Sequence, residues 1–318
     1  MDIFTDLFTP KALLASIINQ PYIPGQSARF FESEGIPGTT FEIEELPDNS
    51  PSEMTASQRG KASKVATLER RKAHPFETAH YREDAAVYAD EVLNVRAPGM
   101  TTARDLVTRK RDEKLRLLRQ KLDLTHEYLR VSCINTPTNT LGTAPAAEAI
   151  AFAVNDTADV ARKLIFTKII KPMETALGGT PYSGLVALCN DTVWEALIVS
   201  KTIRETYLNQ VAADTLRGST TEAFMYGNVL WERYRGTSTI NITSGQAKVI
   251  PLGVPGLFKQ VFAPADTMDS VGAGAVGTPY HISSYMIDGG NRGWYMEAQT
   301  NPAMVCTRPA AILTIDLS

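Results

Sequence analysis

The segment that most resembles a chemical motif is Gly272-Ala-Gly274-Ala-Val-Gly277, which matches the dinucleotide pattern G-x-G-x-x-G. That pattern works when a strand delivers the glycines and a helix N-terminus follows, so that backbone N–H groups converge on pyrophosphate. Here Pro264-Ala-Asp-Thr-Met-Asp-Ser270 precedes the run and Thr278-Pro-Tyr-His281 follows it, with no helical periodicity. The run reads as a mobile glycine loop, with a nucleotide-binding enzyme as the competing reading. No P-loop, G-x-S-x-G elbow or H-E-x-x-H occurs. His74 and His80 fall in a strand-like stretch and could share a face, but no cysteine or carboxylate cluster completes a zinc set. His126 lies at the edge of a charged helix face and reads as solvated or paired with a carboxylate; His281 lies in a polar strand. Cys189 sits where an apolar run meets a helix, a place where a thiol pKa can fall, although a buried core thiol is the plainer reading. No catalytic, cofactor-binding or metal-ligating residue is assigned, and no cofactor is expected.

The elements that would carry such groups are organised around Thr102–Cys133, which has no Gly or Pro and is dense in Leu, Arg, Lys and Glu. As one helix it would run roughly 45–50 Å. Its spacing gives two apolar stripes, Leu115, Leu118, Leu122, Leu129 and Cys133 on one side and Leu117, Leu124, Tyr128 and Val131 nearly opposite. Arg116, Arg119, Asp123, Glu127 and Arg130 form a charged wedge between them. Such a helix is a strut that needs a partner on each apolar side. Its basic residues Arg104, Arg109, Lys110, Arg111, Lys114, Arg116 and Arg119 could face phosphate. Asp105, Asp112 and Glu113 interrupt them at spacings that also suit ion pairs along a helix, and subunit contacts are the better reading than DNA.

Ahead of the strut, residues 1–38 read as an irregular arm with a short helix around Leu13–Ile18 and aromatics Tyr22, Phe30 and Phe31 that need burial. Residues 39–82 read as a long hairpin, with Phe41-Glu-Ile-Glu44 going out and a return through Val65, Thr67, Phe76 and Thr78. The outgoing limb is acidic (Glu42, Glu44, Glu45) and the returning limb basic (Arg59, Lys61, Lys64, Arg70, Arg71). A lone two-stranded ribbon is marginal in water, so these charges, with Phe30 and Phe31, are candidate contacts between copies of the chain. Beyond the strut come a helix after Asn155 or Asp156, kinked at Pro172 and stopped at Gly178-Gly179, and a covered strand Gly184–Cys189. The pattern Thr192-Val-Trp-Glu195 reads as a capping box opening the next helix. Further strands are expected at Val229–Tyr234, Thr239–Ile242, Lys248–Leu252, Gly293–Ala298, Ala303–Thr307 and Ile312–Leu317.

The 318 residues suffice for about two domains, and 43% hydrophobic with 21% charged residues is ordinary for a soluble globular chain. A net charge of −3 gives no global case for nucleic-acid binding. Three separated cysteines, Cys133, Cys189 and Cys306, suit reduced thiols, and neither a signal peptide nor a membrane-length apolar run is present. A soluble, intracellular product is expected.

Several segments in order carry a resemblance. They are Phe8-Thr-Pro-Lys-Ala-Leu13 through Pro21-Tyr-Ile-Pro-Gly25; Phe31-Glu-Ser-Glu-Gly35 with Thr39-Thr-Phe-Glu-Ile-Glu44; and Arg71-Lys-Ala-His-Pro-Phe76 with Ala89-Asp-Glu-Val92 and Val95-Arg-Ala97. Thr192-Val-Trp-Glu-Ala-Leu197, Asn228-Val-Leu-Trp-Glu232 and Asn301-Pro-Ala-Met-Val305 with Arg308-Pro309 complete the set. Together they resemble the lambda-like major capsid protein family (major capsid protein E) of tailed bacteriophages. The resemblance implies an α+β fold of the Hong Kong 97 type, with an N-terminal arm (1–38), an E-loop (39–84), and a P-domain (85–150) with a spine helix at 102–133. An A-domain (151–292) and strands returning to the P-domain (293–318) complete it. It implies a structural, non-enzymatic subunit of an icosahedral virion shell, assembled in the host bacterial cytoplasm as hexamers and pentamers around double-stranded DNA held by nonspecific contact. A scaffold, supplied separately because no long helical N-terminal extension is present, a portal and a decoration protein are the implied partners. No membrane is involved. A cellular nanocompartment shell of the same fold is the alternative.

Overall fold

The Gly- and Pro-free stretch folds as one helix of 33 residues, Ala103–Asn135, ending just ahead of Thr136-Pro137, where a proline disfavours helical backbone in the residue before it. The structure is a computed structural model that describes residues 5–18, 25–45, 72–93, 103–149, 158–200, 223–287 and 292–316. In chain order the first elements are α1 (Pro10–Ile18), β1 (Phe31–Gly35), β2 (Thr40–Glu45), β3 (Lys72–Glu77), β4 (Tyr81–Tyr88), α2 (Ala89–Leu93) and α3, the long helix. There follow β5 (Glu148–Ala149), α4 (Ala158–Ile165), α5 (Lys171–Leu177), β6 (Gly184–Cys189), α6 (Asp191–Val199), β7 (Ala223–Tyr226) and β8 (Val229–Arg233). The last are β9 (Gln246–Leu252), β10 (Phe258–Phe262), α7 (Met268–Ala273), β11 (His281–Met286), β12 (Gly293–Thr300), β13 (Pro302–Cys306) and β14 (Leu313–Asp316).

The chain divides into two compact units, one of residues 1–41, 77–130 and 258–304, the other of residues 42–76, 131–257 and 305–318. In the first, β4, β12 and β11 form an antiparallel sheet in the order β11-β12-β4. Strand alternation sends Trp294, Met296 and Ala298 of β12 to one face, where Val87 and Ala85 of β4 join them. Leu115, Leu118 and Leu122 of α3 close the core, together with Phe8 and Leu13 of the N-terminal segment. Phe8 stacks on Trp294 with ring centroids 5.0 Å apart. A second small sheet, β1-β10-β13, pairs β1 in parallel with β10.

The second apolar stripe of α3 is covered only at its C-terminal end, where Val131 is buried. Leu117, Leu124 and Tyr128 stay 49%, 55% and 46% exposed, whereas Arg119, Asp123, Glu127 and Arg130 of the charged wedge are buried. Helical spacing locates the apolar residues but not the neighbours, and here the neighbours offer polar groups to the wedge.

The second unit holds a six-stranded sheet in the order β5-β14-β9-β6-β8-β7. β6, apolar along its length, is the inner strand between parallel β8 and antiparallel β9, and Leu185 to Cys189 are buried whichever face they point to. The β7–β8 hairpin turns through Gly227-Asn228, both with positive φ (61° and 64°), the backbone of a two-residue turn matched to strand twist. Trp231 is buried behind it and donates its indole N–H to the Tyr226 carbonyl at 3.2 Å. Ahead of the sheet, α4 passes through a π-turn, Phe166–Ile170, into α5; the wide turn meets the N–H missing at Pro172, and left-handed Gly178 ends the helix. Helix α6 is capped not at Thr192 but at Asn190, whose side chain accepts the Thr192 N–H at 3.2 Å and donates to the Ile242 carbonyl at 2.8 Å.

Residues 239–242 form no strand. The Ile240 carbonyl accepts the Thr237 N–H at 2.9 Å and the Asn241 carbonyl accepts the Asn135 side chain, so their backbone is satisfied without a ladder. Lys248 lies buried in β9, its ammonium donating to the Asn135 carbonyl and to Thr314 Oγ1, both at 2.9 Å. Burial lowers its pKa, with Asp316 pulling the other way.

The two stripes of α3 predict unequal costs of truncation. Leu115→Ala should destabilise the chain by about 2–5 kcal/mol and Leu117→Ala by less than about 0.5 kcal/mol, read from urea-unfolding midpoints.

Candidate assembly surfaces

The largest polar construction in the first unit is the charged face of α3, and it is turned on the chain's own N-terminal segment. Arg104 pairs with Asp6. Arg111 donates to the Leu7 carbonyl at 2.8 Å and to Asp112, which also accepts the Ser16 hydroxyl at 2.7 Å. Arg119 donates to the Ile17 carbonyl, pairs with Asp123 at 3.5 Å and lies 4.9 Å over the Tyr280 ring. One turn on, Glu127 accepts both the backbone N–H of Ser27 (3.1 Å) and its hydroxyl (2.6 Å). Arg130 pairs with Glu127 at 3.5 Å and donates to Gln260 at 2.8 Å. Gly25 has to be glycine for this clasp, because a Cβ there would overlap the Glu127 carboxylate.

Burial raises the pKa of Asp123, opposed by the hydrogen bond from Tyr280 and by the charge of Arg119. His126 is buried against Phe262 and Tyr280, with Nε2 2.8 Å from Thr300 Oγ1. Burial, with the charge of Arg130 adding to it, lowers its pKa to about 3. His126 is thus a neutral core residue, not a solvated one, because the strand end at Thr300 covers it.

Most of the basic run is therefore spent inside the subunit. Besides Arg104, Arg111 and Arg119, Lys110 pairs with Glu113 and Lys114 with Glu91; Arg109 and Arg116 are exposed. Burial takes Arg111 and Arg119 out of both the phosphate-facing row and the subunit contacts that the sequence suggested. A hint lay in residue type: the deeply buried cations Arg111, Arg119 and Arg130 are all Arg, the side chain that best suits a buried fork-like pair, while Lys110, Lys114 and Lys121 lie nearer solvent.

The other expected positions separate. β2 and β3 form a two-stranded ribbon; Glu42 and Glu44 are exposed on β2 while Phe41 and Ile43 are half-buried, and Glu45 ends the strand. Arg59, Lys61, Lys64, Arg70 and Arg71 lie outside the described residues, as do Val65 and Thr67 of the expected return strand. Phe31 is buried, its ring 4.9 Å from Phe258 across the β1–β10 pair, and half-buried Phe30 carries the Arg29 guanidinium over its ring at 4.7 Å.

The glycine run has the wrong architecture for pyrophosphate. Gly272 falls inside α7, left-handed Gly274 ends that helix, and buried Gly277 donates its N–H to the Ile36 carbonyl at 2.9 Å. The glycines close a helix where the nucleotide motif must open one. His74 sits on β3, and His80 bonds Asn301 through Nδ1 at 2.7 Å. Among the described residues no group of three His, Cys, Asp or Glu could hold a metal, and no helix is long and apolar enough to cross a membrane. Burial raises the Cys189 thiol pKa instead of lowering it and pushes Cys306 to about 12.

Solved structures that share this mixed helix-and-sheet fold are those of phage capsid proteins. A protein assigned as the capsid protein of a prophage of Escherichia coli CFT073 superposes with a TM-score of 0.59 at 12% identity, covering 98% of this chain and 99% of that one. The mature capsid of bacteriophage PhiM1 gives 0.56 at 11% identity (94% and 89%), and the capsid of Ralstonia phage GP4 gives 0.52 at 13% (92% and 86%). At such identities the likeness is one of fold. No curated protein matches the chain by sequence. The model of the family phage major capsid protein E matches residues 9–317, and the chain belongs to that family. Its role is that of a major capsid protein of tailed phages.

Two consequences are measurable. His126 takes up its proton near pH 6.5 when unfolded but near 3 when folded, so its contribution is complete above about 6.5 and is lost as pH falls toward 3. Between pH 6.5 and 5, stability should fall by up to about 1.4 kcal/mol per pH unit, and His126→Gln should flatten that slope in thermal or urea melts. Gly25→Ala should displace the Glu127 carboxylate and cost about 1–3 kcal/mol, read as faster proteolysis within the first 27 residues.

Proposed function

We propose that the chain assembles, as hexamers and pentamers, into the icosahedral shell of a tailed phage that encloses double-stranded DNA through nonspecific contact. A scaffold, a portal and a decoration protein are proposed partners, and assembly takes place in the host cytoplasm. The arm, E-loop, P-domain and A-domain boundaries given above belong to the same proposal, as does a non-enzymatic role for the whole chain.

The observation that carries the reading at the level of residues is the β2–β3 ribbon. Among the described residues it is a sheet of two strands, a size that is marginal in water unless another surface completes it. Its first strand presents Glu42 and Glu44 to solvent, and the sequence that returns to its second strand is rich in Arg and Lys. In a closed shell each copy offers its acidic limb to one neighbour and its basic limb to another, and Phe30 is proposed to add an apolar contact between copies, whereas Phe31 is already buried against Phe258. Many such contacts, each modest, hold firmly once repeated around a closed surface.

Expression of the chain with a candidate scaffold, followed by sedimentation and negative-stain microscopy, should give closed particles. Charge reversal by Glu42→Lys with Glu44→Lys, or by Arg70→Glu with Arg71→Glu, should lower particle yield while leaving the subunit's melting temperature within a few degrees of wild type. Wild-type yields from both reversed variants would contradict the ribbon's role. Small oligomers alone from the wild-type chain, with every scaffold tried, would contradict the shell.

A further inference from the structure

The face that α4 and α5 turn to solvent carries a sign opposite to that of the chain. Residues 158–177 hold four cations, Arg162, Lys163, Lys168 and Lys171, against two carboxylates, Asp159 and Glu174, in a protein of net charge −3. Ile165, Ile169, Met173 and Leu177, each four positions after the last, are all buried. In a regular helix that spacing drifts by about 40° at every step. The wide turn at Phe166–Ile170 takes up part of the drift and keeps the four on one side. The other side is then one continuous surface, on which Arg162, Lys163, Phe166, Thr167, Lys171 and Thr175 are exposed.

The polar groups of this surface divide into those already engaged and those left over. The Thr167 hydroxyl donates to the Lys163 carbonyl at 2.8 Å and the Thr175 hydroxyl to the Lys171 carbonyl at 2.9 Å, so both are spent on backbone. Lys168 pairs with Glu148 at 2.7 Å, and Glu174 accepts the Tyr182 hydroxyl at 3.0 Å. Among the described residues no carboxylate pairs with Arg162, Lys163 or Lys171. Phe166 lies between Lys163 and Lys171 along the helices, one turn from Arg162, and is 55% exposed. Cations by themselves suit a phosphate backbone, but that backbone offers nothing apolar to cover a ring. Arg and aromatic side chains side by side are what contacts between proteins select.

We propose that this face docks an acidic segment of a different protein, one that carries Glu or Asp around an apolar side chain. The apolar group covers Phe166, and the carboxylates meet Arg162, Lys163 and Lys171. The complementarity is local, because a chain of net charge −3 as a whole repels an acidic partner. The contact joins one subunit to one peptide, so it holds or fails whether or not the chain closes into a shell.

The test is fluorescence anisotropy on the full-length chain at low ionic strength, with a labelled amphipathic peptide of Glu and Leu as the probe. The same peptide with Ser in place of Leu, and a short DNA duplex, are measured beside it. The Glu/Leu peptide is expected to bind the wild-type chain at least about tenfold more tightly than it binds either Arg162→Glu with Lys163→Glu or Phe166→Ser, each with a melting temperature within a few degrees of wild type. The Ser peptide is expected to bind wild type at least about tenfold more weakly than the Glu/Leu peptide does. Absence of peptide binding, or equal binding by Phe166→Ser, overturns the proposal. A duplex that binds more tightly than the peptide makes the face a phosphate contact and overturns it as well.

Discussion

Charge taken out of water has to be answered, and α3 buries a row of it. Arg111, Arg119, Asp123, Glu127 and Arg130 lie against the protein interior, where an unpaired ion would cost several kcal/mol. Their partners come from far along the chain: carbonyls at Leu7 and Ile17, the backbone and hydroxyl of Ser27, the Gln260 amide and the Tyr280 hydroxyl. The dependence runs both ways. Without the N-terminal segment the row would be left unsatisfied; without the row, the irregular chain around Gly25 and Ser27 would have little to hold it. The same segment also closes the core through Phe8 and Leu13, so polar and apolar anchoring coincide.

Much of this was legible in the sequence, though unevenly. The extent of α3 followed from the absence of Gly and Pro, β6 from an unbroken apolar run, and the end of α5 from Gly178. The capsid family was readable from ordered short motifs near both ends. Which side of α3 is covered was not, because periodicity records the residues on a helix and not the groups opposite them. Arg119 meets a main-chain carbonyl about a hundred positions earlier, and a carbonyl leaves no mark on residue type. His126 was misread for the same reason, since the strand end that covers it lies at Thr300. The glycine pattern matched in residue types but not in its flanks, and the structure places a helix before Gly274 where the nucleotide motif needs one after the run.

The division of labour in the molecule follows from where charge and apolar surface end up. Internal ion pairs and the apolar core hold the first unit together, while a second set of side chains stays outside: Leu117, Leu124 and Tyr128 of α3, Met268 and Val271 of α7, and Glu42 of β2. A protein whose work is to repeat itself needs these two sets kept apart, so that assembly does not compete with folding. Arg111 and Arg119 of α3, prominent in the sequence as part of a possible DNA-facing row, belong to the first set.

Electron cryomicroscopy of particles assembled from this chain, at a resolution that shows side chains, tests that separation most directly. The expected map is a closed shell in which each copy keeps Arg111, Arg119 and Glu127 bonded to its own Leu7, Ile17 and Ser27, and Arg130 to its own Gln260. A map in which those side chains turn to packaged DNA or to a neighbouring copy, or one with no closed shell, would contradict it.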